Sequence, residues 1–332
     1  MPTDNIALPA RTINTDAAGL AIWDRLKDYQ FDEPGPYPFS KRLAKEKGWP
    51  YQYALEVLEE YRKLLFLLTT VDDQLLAAPD VEDAWRLHII YTMNYFGKLG
   101  KDVLGKRLEH DCDDGSQTPA QMRRRFNKTL EAYRSVFGQP SEMIWFEPDW
   151  HGVPAHHALS RRVRSLFAPA PVVSISGEDN VPAEHRAIWE KLKNFQFDNP
   201  RATYPFSLRL ADESFGGDVE YARLVIDEYR KFMFLLATTG HWVTPSLHTD
   251  EAWHLHQNFT RSYWDELMGK VIGKPLGHHP GNGSSEDETK FQAIYERTLA
   301  DYARFFGEPP ERTWGKPNPA IDWAKVLEGT GF

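Results

Sequence analysis

The second half of this chain restates the first, and that restricts it to folds that can be built twice from one pattern. Ala21 to Pro34 aligns with Ala187 to Pro200, with nine of fourteen positions identical. Tyr37 to Ala44 then matches Tyr204 to Ala211, and Glu60-Tyr61-Arg62-Lys63 returns as Glu228-Tyr229-Arg230-Lys231. Trp85, His88 and Tyr95 return as Trp253, His256 and Tyr263, and Tyr133, Phe137 and Gly138 return as Tyr302, Phe306 and Gly307. The offset drifts only from 166 to 169, so the insertions are single residues and belong in loops. Such self-similarity predicts two tandem copies of one unit. The expected layout is a tail over 1–18, a first repeat over 19–150, a linker over 151–182 that contains Ala168 to Gly177, and a second repeat over 183–332. A length of 332 residues gives each copy enough chain to bury its own core.

Hydrophobic spacing makes the fold class all-α, with four to five helices in each repeat. Leu55, Leu58, Tyr61, Leu65 and Leu68 stand three and four apart, an apolar stripe that predicts a helix over 53–70 and its counterpart over 219–238. A second pair is predicted over 80–98 and 248–268, each opening with acids, Glu82-Asp83 and Asp250-Glu251, that suit a helix N-terminus. A third pair over 119–137 and 286–306 stops at Gly138 and Gly307. Shorter helices are expected over 23–29, 39–44, 189–195 and 206–211, and a Gly- and Asp-rich loop joins the second long helix to the third.

The net charge of -9 opposes a sequence-independent grip on phosphate backbones, so nucleic acid is not an expected partner. The basic runs Arg123 to Arg125 and Arg161 to Arg164 are short enough to be solvated surface. With one cysteine, Cys112, there is no intrachain disulfide and no cysteine-based zinc site, which suits a reducing compartment. No membrane span and no secretory signal over Met1 to Gly19 are expected, and the default location is the cytoplasm.

Chemistry is concentrated in the second repeat, at Asp250, Trp253, His254, His256, Tyr263, His278 and His279. The first repeat has Glu82, Trp85, Arg86, His88, Tyr95, His110 and Asp111 at those places. His254 and His256 are two apart, about 200° around a helix, and cannot readily chelate one ion together. Asp250 and His254 are four apart and share a face, as Trp253, His256 and Tyr263 share another. Asp250, His254 and either His278 or His279 would offer two nitrogens and a carboxylate, a set suited to zinc or non-haem iron. The candidate ligands are therefore Asp250, His254, His256, His278 and His279, with Tyr263 as a candidate for orienting a substrate. The competing reading makes His256 and His88 structural, buried on the core face and bonded to the loop or to the other histidine. Arg86 cannot ligate a metal, so the first repeat is expected to be a degenerate copy. Trp145 and Trp314 are expected to lock the last helix of each repeat to its core.

The string Asp250 to His256, followed by Tyr263-Trp264, Gly273 to Pro280 and Phe306 to Pro310, resembles the glycine-rich domain-containing protein-like family. The resemblance covers nearly all of the second repeat and, more loosely, the first. It implies the helical domain and the Trp-His-x-His signature and brings no established reaction. Plant relatives carry RNA-binding and glycine-rich regions that have no counterpart here. Met268 stands where relatives often have Cys, which argues against a thiolate ligand. Two functions follow as expectations. One is a metal-dependent protein, with Zn or Fe, acting on a small molecule; the other is a non-catalytic module that presents its aromatic helices to a protein partner.

Overall fold

The computed structural model describes residues 15–71, 74–110, 112, 114–148, 180–278, 280–281 and 284–315. Most of the expected tail and linker, the Arg161 to Arg164 run, Asp111 and His279 lie outside these residues. Thirteen helices and no strand occur among the described residues. In the first half they are α1 (Ala17–Leu26), α2 (Phe39–Lys47), α3 (Tyr51–Thr70), α4 (Pro79–Ile90), α5 (Met93–Leu104) and α6 (Pro119–Phe137). In the second half they are α7 (Ala183–Lys193), α8 (Phe206–Ser214), α9 (Val219–Thr238), α10 (Leu247–Gln257), α11 (Ser262–Ile272), α12 (Ser285–Phe306) and the single turn α13 (Glu311–Trp314).

The local sequence explains most of these boundaries. Pro79 and Pro119 open α4 and α6 in the first turn, where a missing N–H costs nothing. Thr118 and Gln121 form a reciprocal capping box on α6, and Ser284 caps α12. Gly138 and Gly307 follow the long helices at φ 85° and 80°, values that other residues adopt at a cost. The helix count exceeds the expected four or five per half for one main reason. The elements expected over 80–98 and 248–268 are each cut in two, at Tyr91 and at Asn258 to Arg261, and continue as the π-helices α5 and α11. The cut exposes helix-end carbonyls that have no intrahelical donor, and these become part of the site below.

Each half has its own apolar core. Leu26, Leu43, Tyr61, Phe66 and Phe126 belong to the first, and Trp189, Leu210, Tyr229, Phe234 and Tyr302 to the second. A carboxylate anchors each. Glu60 Oε2 accepts from Tyr133 Oη and Trp145 Nε1, both at 2.7 Å, with Lys63 on Oε1. Glu228 Oε2 accepts from Tyr302 Oη and Trp314 Nε1 at the same distance, with Lys231 on Oε1. The two tryptophans thus tie the chain beyond the last long helix of each half back to α3 and α9, as their positions predict. Arg62 and Arg230 hold the end of the first helix of their half, Arg62 Nη1 donating to the Leu26 and Tyr29 carbonyls and Arg230 Nη1 to those of Leu192 and Phe195.

The halves face each other through equivalent surfaces. Phe96 and Trp264, which hold the same place in their respective halves, meet at 4.8 Å between ring centres. Thr92 Oγ1 donates to the His278 carbonyl at 2.8 Å, and Thr260 Oγ1 donates to the His110 carbonyl at 2.8 Å. Contacts exchanged in this way are the mark of a two-fold relation. Here the relation is approximate and lies within one chain.

Candidate metal centre

Asp250 sits in the first turn of α10 and His254 one turn later, so both project from one side of the helix. His278 comes from the loop after α11. It is placed by contacts with the other half, because its Nδ1 lies 3.0 Å from the carbonyl of Ile90, the last residue of α4. That carbonyl can only accept, so His278 carries its proton on Nδ1 and turns the lone pair of Nε2 toward α10. Thr92 holds the His278 main chain, and Trp253 stands edge-on to the ring at 4.6 Å. The preceding residue must be small: a Cβ on Gly277 would meet Thr92 Oγ1 at 2.7 Å.

The three side chains converge. His254 Nε2 lies 3.3 Å from His278 Nε2 and 3.4 Å from Asp250 Oδ2, and His278 Nε2 lies 3.5 Å from Asp250 Oδ1. A tetrahedral zinc ion with bonds of about 2.05 Å requires ligand atoms about 3.3 Å apart, so the observed spacing matches the edge of such a polyhedron. Asp250 Oδ1 is buried and accepts no hydrogen bond from the described residues, an orphan acceptor of the kind a cation satisfies. Burial pushes the Asp250 carboxyl up. The interactions with His254, His278 and Arg42 outweigh it, and the carboxyl is held down at about 2. Burial likewise pushes His254 down to about 3, against the pull of Asp250. At neutral pH these two groups are thus a carboxylate and a neutral imidazole, the forms that bind metal. The cluster opens on a cavity of about 1380 Å³, walled by α2 on one side and by α10, α12 and the 240–247 segment on the other.

The remaining candidates are placed elsewhere. His256 is fully in the core, with Nδ1 3.2 Å from Tyr229 Oη and Nε2 3.0 Å from Ser262 Oγ, and it does not reach Asp250. Burial, with the Arg230 charge second, pushes it down to about 3. Its first-half counterpart His88 lies between Tyr61 Oη and Asn94 Oδ1, at 3.1 and 2.7 Å, and burial pushes it down to about 4 against the Asn94 bond. The burial expected of these two as structural histidines fits this placement, but their partners are tyrosine, asparagine and serine side chains rather than the loop or the other histidine, and His256 as a ligand is corrected by it. Tyr263 is corrected too. Its hydroxyl accepts from Trp253 Nε1 and donates to the Leu276 carbonyl, and it is buried away from the cavity.

The first half carries the corresponding cluster in another form. His110 Nδ1 lies 2.7 Å from the Asn258 carbonyl, as His278 does from Ile90, and His110 Nε2 lies 2.6 Å from Glu82 Oε1. Arg86, in the place of His254, reaches across to Glu213 at 2.6 Å. A guanidinium therefore fills the position where the second half has the His254 imidazole. Among the residues that the sequence does not single out are Ile90, Thr92 and Arg42. The recurrence of Thr92 at Thr260 and of Arg42 at Arg209, at the repeat offset, was the available signal.

No family model, curated protein or solved structure matches this chain. No described helix is long and apolar enough to cross a membrane.

Proposed function

We propose that the chain is a pair of tandem helical domains whose second copy binds one divalent metal, zinc or iron, through Asp250, His254 and His278, and uses it on a small molecule entering the cleft. The observation that carries this is the spacing of 3.3 to 3.5 Å among the three ligand atoms, together with a carbonyl already fixing the outer nitrogen of His278. Metal-binding histidines usually have such a partner on the other ring nitrogen. Three protein ligands facing a cavity leave a coordination position open, which is the pattern of catalytic rather than structural zinc. A bound ion there would act as a Lewis acid or lower the pKa of a bound water.

A second reading is supported by the same distance. A proton on His254 Nε2 donated into His278 Nε2 would also bring them to 3.3 Å, in a protein that binds a partner chain and no metal. Elemental analysis of untagged protein separates the two. One zinc or iron per chain is expected, lost in His254→Ala and retained in His88→Ala. A protein that binds no metal on dialysis against zinc or iron would rule out the first reading.

A further inference from the structure

The cleft around the triad has two chemistries. Its walls carry three of the large apolar side chains that stand most exposed among the described residues, Met93 at 70%, Trp242 at 58% and Leu247 at 61%. Single exposed apolar residues are ordinary, but three around one cleft, two of them on the 240–247 segment, give it an apolar wall of the kind that marks binding sites. Phe291 lines the same cleft.

Beside the triad the cleft is polar and contains a cation from the other half. Arg42, on α2, donates from Nε to Glu46 at 2.6 Å and from Nη1 to Tyr91 at 3.3 Å, while its Nη2 donates to no described residue. A divalent ion held by Asp250 and two neutral histidines would keep one positive charge, and Arg42 with its unused Nη2 lines the same cleft, so this end of it suits an anionic group.

We propose that the cleft takes a monocarboxylic acid with an apolar body, its carboxylate between the open position of the metal and Arg42 Nη2 and its hydrocarbon part along Trp242 and Leu247. This rests on the metal reading above. A planar carboxylate can offer one oxygen to an ion and the other to a guanidinium, whereas an alcohol or an amine cannot satisfy both. The apolar patch then removes the tail from water, which a carboxylate without a tail cannot exploit.

The test is calorimetric titration of the full chain, loaded with one equivalent of cobalt(II) and checked for metal content, using octanoate, acetate and 1-octanol. Octanoate is expected to bind at least about tenfold more tightly than acetate and to change the cobalt absorption, whereas octanol binds weakly and leaves the spectrum unchanged. Trp242→Ala should bring octanoate close to acetate, and Arg42→Gln should weaken both acids while the metal stays bound. Octanoate binding no better than acetate to protein that holds its cobalt overturns the proposal and leaves the metal site standing. Failure to hold cobalt at all overturns the site itself, and the ligand proposal falls with it.

Discussion

The clusters at Glu82, Arg86 and His110 and at Asp250, His254 and His278 occupy the same places in the two halves, and their backbone support is nearly identical. Each histidine from the loop gives its Nδ1 to the end of the partner half's helix, and a threonine from that half holds its carbonyl. The difference is made by side chains. In the first half His110 pairs with Glu82 at 2.6 Å, and Arg86 pairs with Glu213. Each carboxylate there has an imidazole or a guanidinium beside it. In the second half a neutral imidazole replaces the guanidinium, and Asp250 Oδ1 is left without a donor. At position 86 against 254, a guanidinium closes an ion-pair lock in the first half, and an imidazole stands in a triad that could hold a metal ion in the second.

The strongest way to break that contrast is to convert the lock. Arg86→His is expected to raise bound metal from one ion to two per chain, read by elemental analysis after loading with zinc. A stoichiometry that stays at one would mean that more than the guanidinium separates the halves. The next largest effect tests what the halves share. His88→Ala and His256→Ala should each cost about 3 kcal/mol in a denaturant melt, since each leaves a buried tyrosine hydroxyl, Tyr61 or Tyr229, without its ring-nitrogen partner and opens a cavity in the core. Equal losses would show that the core histidines are structural in both halves, and a loss confined to one would break the symmetry.

Acid should expose the same feature. His88 is held near pKa 4 in the fold, against about 6.5 in an unfolded chain. The unfolded chain therefore takes up the proton first. The stability contributed by the neutral ring is complete above about pH 6.5 and is lost progressively as the pH falls toward 4. Between pH 7 and pH 5 the loss for this group is about 2 kcal/mol, and His88→Ala should abolish it, as seen in urea midpoints at the two pH values. The smallest effect sharpens the comparison most. Thr92→Val removes the donor to the His278 carbonyl and should weaken zinc binding about tenfold, while Thr260→Val, its counterpart, should leave zinc affinity unchanged.

Much of this was legible in the chain itself. The alignment of Ala21 to Pro34 with Ala187 to Pro200 predicted that the order of elements would recur, and apolar spacing located α3, α6, α9 and α12 to within two residues. Those helices are long and amphipathic, so period and caps suffice. The two π-helices were not legible, because Tyr91-Thr92 and Asn258 to Arg261 contain no proline or glycine to announce a break. The site was legible in part. A separation of four put Asp250 and His254 on one face whatever the rest of the fold, and a separation of two kept His256 off it.

By itself, then, the sequence determined the helices, their repetition and the two candidate ligands that share a turn, since these depend on spacings along the backbone. Only the tertiary structure decided that His278 completes the set, because its direction comes from the Ile90 carbonyl and the Thr92 hydroxyl, 188 and 186 residues away. It also decided that Arg86 closes the matching cluster, because the glutamate that holds the guanidinium belongs to the other half, 127 residues on. A ring nitrogen is aimed by what bonds its far side, and here that partner comes from the opposite half of the chain.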